Sequence, residues 1–131
     1  MKRQVVIGLG ASEAASSRDG ADAVMRALEA AGLEDAMVLA VATIFGRAEH
    51  PAIQIVAAYF SVPVIGFDAA RLEQETSRLA NPSASLFERI GCHGVAEAAA
   101  LAATGPGGRL VVEKTKSAGL TIAVAEAARE S

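Results

Sequence analysis

Hydrophobic positions along this chain change their spacing repeatedly, and each change marks an element. Val5-Val6-Ile7-Gly8-Leu9 is a short β-branched run ending at glycine, which predicts a first strand buried on both faces. Polar Ser12 to Gly20 reads as a loop, with Asp19 or Asp22 placed to begin a helix. Residues 21–31 carry Val24, Met25 and Leu28 at helical spacing, and Gly32 closes the pattern. Ala36 to Ala42 is the second strand, with Thr43 near its end. Pro51 suits a first helical turn, and Ile53, Ile55, Val56, Ala57 and Phe60 supply that helix with an apolar face. Val62 to Phe67 gives a third strand, and Asp68 can cap a helix over 69–79.

Beyond Asn81-Pro82 the style shifts. Ser85 to Glu88 has capping-box spacing, and Ser83 is an equally good cap. Gly91-Cys92-His93-Gly94 is a glycine-bounded turn. Val95 to Ala103 is an alanine-rich helix that Thr104-Gly105-Pro106-Gly107-Gly108 stops. Two strands, Arg109–Glu113 and Leu120–Ala125, flank a polar turn at Lys114–Gly119. A gap that short permits only an antiparallel pair, since a parallel crossover needs a dozen or more residues. The expected fold is a three-layer α/β/α sandwich over residues 1–131. Its sheet is mixed and mainly parallel, has about five strands and ends in an antiparallel hairpin.

Composition narrows the function. At 131 residues and 52% hydrophobic, the chain suits one ordinary domain and is too apolar for disorder. Alanine supplies about 30 residues, whereas there is no Trp, one Tyr and four Phe. With a net charge of −3, neither the stacking surface nor the basic footprint of a nucleic-acid binder is present. A single cysteine, Cys92, cannot staple the fold and suits a reducing compartment. The apolar run after Lys2-Arg3 is shorter than a signal sequence requires, and no stretch approaches a bilayer span. The expectation is a soluble cytoplasmic protein with no membrane or nucleic-acid partner.

Candidate chemistry comes from five places. Gly8-Leu9-Gly10, at a strand end, could present backbone amides to an anion together with Ser12. Glu13 stands where a dinucleotide fingerprint needs its third glycine, and its carboxylate would repel a pyrophosphate. Thr43 and Arg47 close the second strand. Lys114-Thr115-Lys116-Ser117 puts two ammonium groups at a hairpin of an acidic protein. Glu97, the one charge of the alanine-rich helix, could move a proton or simply favour the helix dipole. Cys92-His93 matches no zinc spacing, with His50 the only other imidazole, and reads as structural. No Gly-x-Ser-x-Gly elbow occurs, and neither metal nor cofactor is implied. Strand-end placement predicts that Gly8, Gly10, Thr43, Arg47, Glu97, Lys114 and Lys116 surround one cleft at an end of the sheet, suited to a polyanionic organic ligand.

Several of these segments, taken in order, resemble the CobE/CbiG family of cobalamin biosynthesis. They are the strand into Gly8-Leu9-Gly10, Ala42-Thr43-Ile44 with its basic loop and Pro51, and Gly94-Val95-Ala96-Glu97-Ala98-Ala99-Ala100-Leu101. Leu110-Val111-Val112 with Lys114 and Lys116, then Thr121 to Ala125, complete the series. The likeness is to the carboxyl-terminal domain of the longer members and to the free-standing members. It implies a role in the aerobic pathway of corrin biosynthesis: binding a carboxylate-rich precorrin or corrinoid intermediate, beside other enzymes of that pathway. The alternative it implies is hydrolysis of a ring-contracted precorrin, by lactone opening or deacylation, with Glu97 as acid/base and the lysines steadying oxyanions. Family members carry a basic, cysteine-containing stretch where Ala11-Ser12-Glu13 stands, so no thiol acts there in this chain. Where they offer a lysine, Arg47 stands, a planar fork suited to carboxylates.

Overall fold

A computed structural model describes residues 2–12, 15 and 18–128. The elements are β1 (Gln4–Ala11), α1 (Gly20–Ala30), β2 (Met37–Ile44), α2 (Pro51–Phe60), β3 (Val64–Phe67), α3 (Ala69–Glu73), α4 (Ala84–Ile90), α5 (Ala96–Thr104), β4 (Arg109–Ser117) and β5 (Leu120–Glu126). Short 3-10 turns follow β2 at Phe45–Arg47 and α3 at Thr76–Arg78. The five strands lie in the order β3-β2-β1-β5-β4. β1 pairs parallel with β2, and β2 with β3; β5 runs antiparallel to both β1 and β4. The sandwich expected from the sequence is the architecture observed.

Alternation along β1 explains the layers. Val5, Ile7 and Leu9 join Val24 and Leu28 of α1, Ile53 and Val56 of α2, and Ile122 and Val124 of β5 in one core. Val6, on the other face, meets Ala98 and Ala99 of α5 and Leu72 of α3. Alanine makes this second face thin. Gly8 lies directly under α5, where an added Cβ would stand 1.9 Å from the Ala96 carbonyl oxygen. The helix can therefore lie almost on the strand.

Several boundaries differ from expectation, each for a local reason. The glycine segment is not a strand-end loop: β1 continues to Ala11 because Gly8 and Gly10 pair with Ala123 and Thr121 of β5. The helix expected over 69–79 stops at Glu73, where the Thr76 hydroxyl donates to the Glu73 carbonyl at 2.7 Å and competes with the helical pattern. Lys114 to Ser117 is strand rather than turn. The hairpin closes in two residues, Ala118 and Gly119, whose φ values of 55° and 78° are those of a twist-matched turn. Asp68 and Ser83 cap α3 and α4 through their side chains, as their positions predict. Asp19 precedes α1 without a side-chain cap bond.

Candidate functional site

The carboxyl ends of β1, β2 and β3 lie at one edge of the sheet, and antiparallel pairing brings the start of β5 and the end of β4 to the same edge. On the α5 face, Gly10 of β1, Thr121 of β5 and Lys116 of β4 stand side by side in one row. The amino end of α5 overlooks them: the space beside Gly10 is bounded by Val95 and Thr121 at 3.6–3.7 Å, ordinary contact for a methyl group.

Lys114 is held there by an irregularity in β4. Val112 pairs with Val124 and Thr115 with Ile122, so three steps of β4 match two of β5. This bulge frees the Lys114 N–H from the ladder. It donates instead to Oε2 of Glu97 at 2.8 Å. Asn81 completes the arrangement. Its backbone N–H donates to Oε1 of Glu97 at 2.9 Å and its side-chain amide to Oε2 at 3.0 Å, while its carbonyl accepts from Lys114 Nζ at 3.3 Å. Glu97 is 2% exposed. Burial pushes its carboxyl up, but the donors from Lys114 and Asn81 outweigh that and hold it below the usual carboxylate range. It is an ionised acceptor with both oxygens engaged, and it ties α5, the Asn81 segment and β4 together.

The remaining expected site residues spread out. Gly8 is buried one row deeper, beneath Ala96. Its backbone is paired within the sheet, so it cannot join an anion-binding loop. Ser12 is exposed just past β1. Glu13 lies outside the described residues. Thr43 alternates with Ala42, pairs with Gly66 and faces the α1–α2 layer, fully buried, with its hydroxyl unpartnered. Ser117, paired with Leu120, shares that face. Arg47 is half-buried in the turn after β2, at the same edge as Lys116 but three strands away, about 14 Å at ordinary strand spacing. Gly10, Glu97, Lys114 and Lys116 are thus brought together, Arg47 marks the far end, and Gly8, Thr43 and Ser117 lie elsewhere.

Sequence reasoning missed Asn81, read only as a break before proline, and the pair Glu73–His93. His93 Nδ1 is 2.9 Å from both Glu73 oxygens, and its backbone N–H donates to Oε1 at 3.0 Å. Contacts across 16 to 33 positions leave no periodic trace in a sequence. Cys92 beside it is buried, and burial pushes its thiol up, away from nucleophilic use. Among the described residues no three metal-ligating side chains cluster, and no helix is long and apolar enough to cross a membrane.

Comparison with known proteins yields a consistent set. The sequence model described as "Cobalamin synthesis G C-terminus" matches residues 5–125. The chain is 45% identical over 121 residues to Protein CobE of Sinorhizobium sp., covering 92% of this chain and 79% of that one. Among solved structures, CobE, a protein from the cobalamin (vitamin B12) biosynthetic pathway, superposes with a TM-score of 0.84 at 28% identity, covering 100% of this chain and 95% of that one. Cobalamin biosynthesis protein chiG from Agrobacterium tumefaciens gives 0.70 at 29% identity, covering 95% and 99%.

Proposed function

Because this chain belongs to the cobalamin synthesis G C-terminal family, we propose that it binds a carboxylate-rich precorrin or corrinoid intermediate at the carboxyl edge of its sheet. It is a cobalamin-biosynthesis protein. One observation carries it: Lys114 and Lys116 project on the α5 face, the first fixed by the bulge that Glu97 satisfies. Corrin intermediates carry acetate and propionate groups around an apolar macrocycle. Two ammonium groups at one end and the Arg47 fork about 14 Å away suit such a rim. Glu97 enters this reading as the anchor of the site, since an acid/base would need a free oxygen. The protein would work in the cytoplasm, passing its ligand among enzymes of the pathway.

Titration with hydrogenobyrinic acid, followed by absorbance, tests the proposal. Each desolvated charge-assisted contact is worth about 1.5–3 kcal/mol, so Lys114→Ala with Lys116→Ala should cost tenfold or more in affinity. Lys2→Ala with Arg26→Ala removes the same net charge from exposed positions elsewhere and should cost far less. Binding should also weaken with salt. Equal losses in the two double variants would leave only non-specific attraction and overturn the site.

A further inference from the structure

His93 stands two residues before Val95, at the amino end of α5 and so at the same edge of the sheet as Lys114. Glu73 accepts from its Nδ1 and from its backbone N–H, and it shares the Thr76 hydroxyl, 2.8 Å from Oε1, with its own backbone carbonyl. In the neutral imidazole, the nitrogen facing a carboxylate is the one that carries the proton, which puts the lone pair on Nε2. The ring is stacked on Phe87 with centroids 4.5 Å apart and planes 21° from parallel, so its rotation is restrained. Its side chain is 27% exposed, and among the described residues nothing bonds Nε2.

An imidazole whose second nitrogen donates to a carboxylate is the arrangement that metal-ligating histidines use. A bare ion would find one donor at His93 where zinc needs three or four. A metal already held in a tetrapyrrole plane needs only an axial ligand. Phe87 and Ile90, one turn apart on α4 and both exposed, offer an apolar flank beside the imidazole. The segment from Asn81 to Ser83 joins this flank to the lysines: Ser83 N–H donates to the His93 carbonyl at 2.8 Å, and the Asn81 carbonyl accepts from Lys114 Nζ.

We propose that His93 Nε2 is the axial ligand to the metal of a metallated corrinoid bound at this edge, with Glu73 as its positioning residue. This rests on the corrinoid-binding reading above and names the form of the ligand. The step is a ligand exchange. The Nε2 lone pair forms a bond to the metal, a coordinated water leaves as a neutral molecule, and the oxidation state of the metal does not change.

Two probes with the same carboxylates separate this inference from the reading beneath it: hydrogenobyrinic acid, which lacks metal, and cob(II)yrinic acid. With the full chain, the electron paramagnetic resonance spectrum of the cobalt probe should show threefold splitting from one axial nitrogen. His93→Asn keeps a donor for Glu73 but lacks Nε2. It should lose the splitting while binding the metal-free probe within twofold of the parent protein. His93→Ala should do the same. Glu73→Gln should keep the splitting and weaken the cobalt probe severalfold, leaving the metal-free probe unchanged. Both probes bound by the parent protein without nitrogen splitting would overturn axial ligation and leave the corrinoid site standing. Splitting that persists in His93→Asn would overturn it equally. If neither probe bound, the site and the ligation would fall together.

Discussion

Glu97 shows how one buried side chain can tie three segments of the chain together. Its two oxygens take three N–H donors, two of them backbone groups freed from regular structure by the Asn81-Pro82 break and by the β4 bulge. Glu97→Gln keeps the shape but replaces one acceptor with an amide that points donors at donors. An unsatisfied buried group costs about 1–3 kcal/mol, so the midpoint of urea unfolding should fall by that equivalent. Corrinoid affinity should fall with it, since Lys114 loses its tether. A variant of unchanged stability would show that the carboxylate charge is dispensable. Glu97 was visible in the sequence as the one charge in an alanine-rich helix; its partners were not. Asn81 and Lys114 lie 16 and 17 positions away, and nothing in residue spacing connects them.

At the scale of elements, the contact of α5 with β1 depends on two glycines with different reasons to be there. A methyl group at Gly8 would collide with the Ala96 carbonyl oxygen and meet the Ala100 Cβ at 3.0 Å. Backbone cannot rotate away, so Gly8→Ala should displace α5 and cost about 1–3 kcal/mol. At Gly10 the nearest atoms are 3.6–3.7 Å off, so Gly10→Ala should be neutral or stabilising by up to about 1 kcal/mol, because glycine weakens a strand. Thermal unfolding of the two variants checks the opposite signs. Strands and helices built on a long apolar run or face were legible: β2, α2 and α5 lie within two residues of their expected bounds. The end of β4 was not, because Lys114 to Ser117 is polar on an edge strand and carries no alternation to read. The two-residue turn was equally hidden, with alanine at a position where asparagine or glycine would signal it. The candidate site was legible only as a sheet edge bearing charge; which charges meet depends on the bulge, and the bulge arises from pairing.

The whole molecule has two differently built ends. The edge with Lys114 and His93 leaves polar groups available, whereas the opposite edge is closed by ion pairs. Glu126, at the end of β5, accepts from Arg3 Nε and Nη2 at 2.8 and 2.9 Å and from Arg109 at 3.1 Å. The segment before β1 and the start of β4 are thereby clamped to the last strand. The Arg3 hydrogen bonds, working against the cost of burial and helped by Arg109, lower the Glu126 carboxyl from the usual 4.5 to about 2. A folded-state value below the unfolded one means the clamp is fully stabilising above pH 4.5 and fades as pH falls toward 2. Glu126→Gln should therefore cost about 1.5–3 kcal/mol at neutral pH, the range for hydrogen bonds to a charged group. The gap from the parent protein should close between pH 4.5 and 2. Glu73, Glu75 and Glu97 are also held low, so both proteins lose stability in acid, and only the difference between their curves reports on Glu126. Urea unfolding at pH 7, 4.5 and 3 supplies those curves; a gap that stays constant across them would mean that the Glu126 charge contributes nothing. Because the clamp sits at the far end of the sheet, the variant at pH 7 should still bind hydrogenobyrinic acid with parental affinity.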